Sequence, residues 1–285
     1  MSIGNLENFI RPSWPAALQV KALTTLRSGG VSQNPFDNFN LGGHVGDDPA
    51  AVLENRRILK NSAKLPQEPC WISQVHGTTV LNLNDYPSLI SQAKIPVQRH
   101  SSQVTLSETK IPEADVFIIP AANASIVPEA DASISFKPNQ VAVVLTADCL
   151  PILLCDQKGS RVAAIHAGWR GLASEIIQGT VERLDCNPKD LMAWLGPAIG
   201  PSAFEVGQDV KEAFVMEGDN KAFQSIAAKK WKADLYVLAR IRLQDLGITQ
   251  IYGGGFCTFT EVDRFYSFRR SNPTGRQATL IWLES

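Results

Sequence analysis

Three apolar runs lie close together in the middle of the 285-residue chain and restrict what it can become. They are Val141-Ala-Val-Val-Leu145, Leu150-Pro-Ile-Leu-Leu154 and Arg161-Val-Ala-Ala-Ile165. Each is short, built of β-branched, leucine or small residues, and lacks a polar side. That is the pattern of a strand buried on both faces. Gln157-Lys-Gly-Ser160 joins the second run to the third as a hairpin-like turn. Between the first and second runs sits Thr146-Ala-Asp-Cys149, a carboxylate and a thiol in otherwise apolar surroundings. A buried cysteine is usually a small hydrophobe. A buried aspartate needs a partner. The hairpin carries Cys149 and His166 toward the same end of adjacent strands.

His166-Ala-Gly-Trp-Arg-Gly171 follows the third run, and Leu172, Ile176, Thr180 and Leu184 then recur at helical spacing. The sequence predicts a strand that hands over to a helix across 172–184 through glycines. Free N–H groups at such a helix start suit an anion, and Arg170 adds a fixed charge.

Residues 19–26 predict a first strand. Leu41-Gly-Gly-His-Val-Gly-Asp-Asp48 is a glycine-rich loop, and Asp48 caps a helix that opens on Pro49, with Val52, Leu53 and Leu59 on its apolar side. Cys70-Trp-Ile-Ser-Gln-Val-His76 predicts a strand ending before Gly77. Residues 84–129 lack glycine and periodicity and read as an insertion. They begin a near-repeat, Ile111-Pro-Glu-Ala-Asp115, whose second copy is Val127-Pro-Glu-Ala-Asp131. Residues 191–195 predict a strand leading into Gly196-Pro-Ala-Ile-Gly-Pro201, a rigid wall for a pocket. A short helix is expected around 210–215. A longer one carries Trp231, Leu235, Leu238 and Ile241. A strand follows at 248–252. Two final strands, 264–270 and 277–283, are expected to flank a hairpin turn at Ser271-Asn-Pro-Thr-Gly275. Strands and helices mix without strict alternation, so the chain reads as one α+β domain of layered mixed sheets flanked by helices.

Composition excludes several function classes. A net charge of −1 argues against a broad nucleic-acid or membrane-surface role. The longest apolar stretch, broken by Asp148, is too short to span a bilayer. The odd set of five cysteines without disulfide-like spacing reads as reduced thiols of a cytoplasmic protein.

His76, Cys149 and His166 each fall at the end of a predicted strand. Two imidazoles and a thiolate are a known catalytic zinc set with one position left open, and the thiolate disfavours magnesium and calcium. The same Cys149 and His166 also suit a cysteine hydrolase or amidase. A metabolite-binding module with structural polar groups is the non-enzymatic reading. Stoichiometric metal separates the first two.

Ser73-Gln-Val-His-Gly77, Thr146-Ala-Asp-Cys-Leu-Pro-Ile-Leu-Leu154, His166-Ala-Gly-Trp-Arg-Gly171, Gly196-Pro-Ala-Ile-Gly-Pro201, Phe265-Tyr-Ser-Phe-Arg-Arg270 and Asn40-Leu-Gly-Gly-His-Val-Gly-Asp-Asp48 together closely resemble the YfiH-like family. That family, formerly described as laccase-domain or multicopper polyphenol oxidases, is now described as purine nucleoside phosphorylases. The resemblance implies zinc, or copper in older descriptions, on His76, Cys149 and His166. It implies phosphorolysis of adenosine, inosine and methylthioadenosine with inorganic phosphate as co-substrate, and an accompanying adenosine deaminase activity. Its short link at 84–129 is replaced here by the longer segment, and Asp131 fits its acidic position. The older label conflicts with arithmetic. Multicopper clusters rest mainly on histidine pairs, and this chain has four histidines and no His-x-His.

Phosphorolysis passes through an oxocarbenium-like ribose. Arg170 is the first choice for the phosphate. Arg27, Arg269 and Arg270 are further candidates, and Asn40 and His44 are expected to contact ribose or phosphate. Deamination needs a water activated by the metal and a proton shuttle, for which Glu205 and Asp148 are the candidates.

Overall fold

Each of the three central apolar runs forms a strand that is buried along its whole length. In the computed structural model, which describes residues 9–85 and 127–285, the strands in chain order are β1 (Phe9–Ile10), β2 (Val20–Thr25), β3 (Val80–Asn82), β4 (Ala132–Ser135), β5 (Ala142–Thr146), β6 (Leu150–Asp156), β7 (Val162–Ala167), β8 (Leu191–Leu195), β9 (Glu205–Gly207), β10 (Phe223–Ala227), β11 (Lys230–Ala233), β12 (Gln250–Gly253) and β13 (Gln277–Leu283). The α-helices are α1 (Pro49–Ser62), α2 (Trp169–Ala173), α3 (Ile176–Leu184), α4 (Gln208–Glu212) and α5 (Leu235–Asp245). The fold is α+β. A four-stranded sheet runs β1-β2-β13-β5, a six-stranded sheet β12-β8-β6-β7-β4-β3, and a small sheet β10-β11-β9.

Burial on both strand faces has a direct cause in the layering. Alternate residues of the four-stranded sheet point to opposite sides. Leu23, Val143, Leu145, Leu280 and Trp282 pack with Leu59 of α1 and with Phe39 and Leu41. Ala22, Val144 and Ile281 pack instead on Leu153, Ala164, Met192 and Trp194 of the six-stranded sheet. The far face of that sheet, including Ile152, Leu154, Ile165 and Leu195, is covered by Leu172, Ile177, Val181 and Leu238 of the helices and Val206 of the small sheet. The order is therefore helix, sheet, sheet, helices. No helix among the described residues is long and apolar enough to cross a membrane.

The β6–β7 hairpin has the expected register, with Leu150 opposite Ala167 and Pro151 opposite His166. Cys149 and His166 thus share one end of the sheet. Asp48 caps α1 by accepting from the Ala50 N–H at 2.9 Å.

Other expectations are corrected. Residues 70–76 form no strand but an extended run with isolated bridges, Cys70 to Ala142 and Ser73 to Glu129. The Gln74 amide takes the place of a ladder by bonding both the N–H and the carbonyl of Leu145. The helix expected across 172–184 is broken where Glu175 adopts φ 69° between α2 and α3. Leu53 of α1 is half-exposed, and Asn55 is the buried residue. Its side chain bonds Val31 N–H and the carbonyls of Asn38 and Asn40, holding the N-terminal loops. Trp231 lies on β11, because the side chain of Asp234 caps α5 and fixes its start later. Residues 264–270 are turns, so the final hairpin does not form. The Gln277 side chain bonds Tyr266 backbone N–H, and β13 pairs with β2 and β5 instead. The expected insertion at 84–129, with Asp115, lies almost wholly outside the described residues.

Candidate active site

The site lies where the chain crosses from one sheet to the other. β5 belongs to the four-stranded sheet and β6 to the six-stranded sheet, and residues 147–149 make the crossing. Cys149 stands at its end. His166 comes from the adjacent end of β7, and His76 from the extended run before β3. Cys149 Sγ lies 3.7 Å from His76 Nε2, and one donor atom from each of the three residues lies within 4.8 Å of the others. Ligands on a tetrahedral zinc at about 2.0–2.3 Å stand roughly 3.5 Å apart. The donor set therefore fits such an ion. Gly168 makes this approach feasible, since a Cβ there would fall 3.0 Å from both Cys149 Sγ and His76 Cδ2.

Asp131 organises the donors. Its carboxylate is fully buried, with Oδ1 2.8 Å from His166 Nδ1. It also accepts the backbone N–H groups of His76 at 2.9 Å and Gly77 at 2.6 Å. Burial works against its charge, but the His166 hydrogen bond and the backbone donors outweigh it and hold Asp131 below the usual carboxylate range. An ionised carboxylate only accepts, so His166 Nδ1 carries the proton and Nε2 is left for a ligand. Burial likewise opposes ionisation of Cys149, yet the charge of His166 and hydrogen bonds to both imidazoles bring its thiol down to about 6. Burial favours neutral His166, but the Cys149 thiolate and Asp131 hold it at about 9. Each group shifts the other in the same sense, the thiol down and the imidazole up, which favours thiolate beside imidazolium near neutral pH.

These groups face a cavity of about 320 Å³, inside the ~300–1,000 Å³ range of small-molecule sites. It is also lined by His44, Asp148, Trp169, Arg170, Ile199, Phe268, Arg269 and Arg276. Asp148 sits at φ 96°, a region that aspartate tolerates better than most residues. Its Oδ1 accepts from Thr258 Oγ1 at 2.7 Å and its Oδ2 from the Arg269 N–H at 2.6 Å.

The structure thus brings His44, His76, Asp148, Cys149, His166, Arg170 and Arg269 to one cavity, and places four expected residues outside its lining. Arg27 donates to the carbonyls of Asp37 and Val262. Arg270 donates to the carbonyls of Thr258, Phe259 and Phe265. The Glu205 carboxylate pairs with Lys230 and Lys232 on the small sheet, and the Lys230 hydrogen bond, followed by the charges of Lys230 and Lys232, lowers its pKa. Asn40 is fully buried and bonds backbone and Asp47. Sequence reasoning missed Arg276, Trp169 and Phe268. Arg276 lies in no motif; its only signal is its place at the start of the last strand, beside the end of β5.

A family model described as multi-copper polyphenol oxidoreductase laccase matches residues 21–284. YfiH of Escherichia coli, named a purine nucleoside phosphorylase, is 43% identical across 98% of this chain and 100% of its own. The chain belongs to the YfiH-like family. A purine nucleoside phosphorylase of Pseudomonas aeruginosa is 46% identical over 97% of this chain and 98% of that relative. The crystal structure of a Neisseria meningitidis protein superimposes with a TM-score of 0.81 at 41% identity, covering 98% of this chain and 100% of that one. That of YlmD from Geobacillus stearothermophilus also gives 0.81, at 26% identity, over 98% and 97% of the two chains. Within this family the laccase description meets the same obstacle as before. Among the described residues, His76, Cys149 and His166 form the only group of three such donors close enough to hold an ion.

Proposed function

We propose that the protein is a metal-dependent purine nucleoside phosphorylase acting on adenosine, inosine and methylthioadenosine, with adenosine deaminase as a side activity. One observation carries the reading beyond the names of relatives. A His76–Cys149–His166 donor set opens onto a cavity whose lining combines three arginines with the rings of Trp169, Phe204 and Phe268. Metal donors, positive charge for an anion and flat apolar surface are what a metal-assisted phosphorolysis of a purine nucleoside would use.

In the reaction the C1′–N9 bond breaks, its electron pair leaves with the base, and a phosphate oxygen bonds to C1′. The products are free base and ribose 1-phosphate, or its methylthio analogue. Positive charge gathers on the ribose meanwhile. Asp148 faces the cavity with both oxygens held by hydrogen bonds, which suits a fixed negative charge near that ribose better than a proton carrier. Leu145, Ile199 and Phe204 supply apolar wall, which keeps water from competing with phosphate. His76, Cys149 and His166 would hold zinc, and the thiolate makes copper the other candidate. An ion held by these three residues would supply Lewis acidity to a bound substrate. Deamination would use the same cavity, with water replacing the amine at C6 of adenine and ammonia leaving. All five cysteines are free, which fits a reducing cytoplasm.

Cys149, His166 and Asp131 also have the composition of a cysteine-hydrolase triad, and the low Cys149 pKa favours that second reading. His76 against the thiol is what a metal site needs and a triad does not. Chromatography of adenosine incubated with zinc-loaded protein decides. Adenine formed only with phosphate is the expected result. Inosine with or without phosphate would make deamination the main activity. No product from a metal-loaded, folded protein would abandon both activities.

A further inference from the structure

The three arginines that line the cavity are not equivalent. Arg170 is exposed and rests against the Trp169 ring at 4.4 Å. Arg269 donates through Nη1 to the Glu205 carbonyl at 2.8 Å and lies over Phe204. Arg276 is half-buried. Its Nη1 donates to the carbonyls of Thr274 and Gly275 at 2.8 and 3.0 Å, and its Nε and Nη2 have no protein partner among the described residues. No carboxylate pairs with it there. Burial works against its charge, opposed only by the charges of Cys149 and Asp148. A cation drawn partly out of water, 5.8 Å from the Phe268 ring and with no carboxylate at ion-pair distance among the described residues, is a place suited to receive an anion.

Its mounting is rigid. Asn40 Oδ1 accepts from the Arg276 N–H at 2.9 Å and from the Gly42 N–H at 3.0 Å. A Cβ on Gly42 would fall 2.8 Å from Arg276 Cγ, so the loop lies directly on the aliphatic stem. That loop delivers His44 to the same cavity. Burial and the charges of Arg276, Arg56 and His166 lower the His44 pKa, so near neutral pH it meets a ligand as a neutral ring with one N–H. Thr146 also lines the cavity and pairs with Gln277, the neighbour of Arg276. Its buried hydroxyl has no partner among the described residues.

We propose that Arg276, with His44 and the Thr146 hydroxyl beside it, seats the inorganic phosphate, and that Asn40 positions Arg276 without touching ligand. This rests on the phosphorylase reading for the identity of the anion. It moves the phosphate from Arg170, the first choice from sequence, to the residue just before β13. The guanidinium fork offers its free N–H groups to two phosphate oxygens.

The test titrates zinc-loaded protein with inorganic phosphate alone, followed by the phosphorus-31 line width. Arg276→Met should raise the phosphate Kd about tenfold or more. Arg276→Lys should recover only part of the affinity, because an ammonium lacks the fork. In turnover, the KM for phosphate should rise while that for the nucleoside changes little. His44→Gln, which removes no hydrogen bond of the loop, should give a smaller rise and serves if Arg276→Met fails to fold. Phosphate binding lost in Arg170→Met but kept in Arg276→Met overturns the assignment and leaves the phosphorylase reading intact. Wild-type protein that binds no phosphate overturns it as well. Arg276-dependent phosphate binding in a protein that cleaves no nucleoside supports the subsite and sinks the phosphorylase reading.

Discussion

Asp131 governs the site without lining the cavity. It fixes the His166 tautomer and pins the backbone of His76 and Gly77, so two of the three donors depend on one carboxylate. Asp131→Asn keeps the volume but cannot hold the same donors as an anion. It should weaken zinc binding about 10–100-fold, read by competition with a chromophoric chelator. Unchanged affinity would show that the buried carboxylate serves the fold alone. Cys149 and Cys155 give a second residue-scale prediction. Burial and the neighbouring Asp156 push the Cys155 thiol up to about 12, whereas Cys149 is brought down to about 6. The thiolate is the nucleophile. In metal-free protein, alkylation of Cys149 by iodoacetamide should therefore rise as pH passes upward through about 6 and level off above it. Cys155 should stay unlabelled at neutral pH. Peptide mass spectrometry measures both, and a Cys149 midpoint near the ordinary thiol value of about 8.5 would refute the assignment of the charged pair. At this scale the meeting of His76, Cys149 and His166 was legible, because each was read at the end of a predicted strand and the structure brings the three together. Sequence did poorly with Arg276 and Glu205. An arginine's or glutamate's destination depends on what the fold packs beside it, and no local pattern records that.

The elements that carry the site are short and joined tightly. Gly168 links β7 to α2, and its missing side chain leaves the room in which Cys149 and His76 meet. Gly168→Ala should reduce zinc affinity about tenfold or more through overpacking. Asp48→Ala, at the start of α1 on the outer layer, should cost about 0.5–2 kcal/mol in urea unfolding through loss of the cap. Its zinc stoichiometry should match wild type, and a loss of zinc there would mean that α1 reaches the site. Buried strands and the α1 cap were legible because apolar runs and Asp-Pro starts are local signals. The failures share one physical cause. Gln74 and Gln277 use side-chain amides where a strand would use backbone, so residues 70–76 and 264–270 run beside strands without joining them. Composition alone cannot distinguish such a run from a strand.

At the scale of the molecule, the donors tie the extended run that carries His76 to the β6–β7 hairpin that carries Cys149 and His166. A bound ion stabilises the folded state by about 4 kcal/mol at a thousandfold excess over its Kd. Chelation should therefore lower the unfolding temperature, on the order of 10 °C for a chain of this size. Scanning calorimetry with and without chelator checks this, and identical transitions would count against a bound metal. The α+β class was legible from the mixture of patterns, but the sheet-on-sheet layering was not. It depends on β13, which lies between β2 and β5 and pairs with both. Thr24 and Thr279, bonded hydroxyl to hydroxyl at 2.8 Å, are 255 positions apart. Ribosomes release a chain from its N-terminus onward. β2 and β5 emerge long before the strand that must slide between them, and Arg276 emerges with that strand. The four-stranded sheet, and with it the Arg276 side of the cavity, therefore cannot be complete until the last residues of the chain have been made.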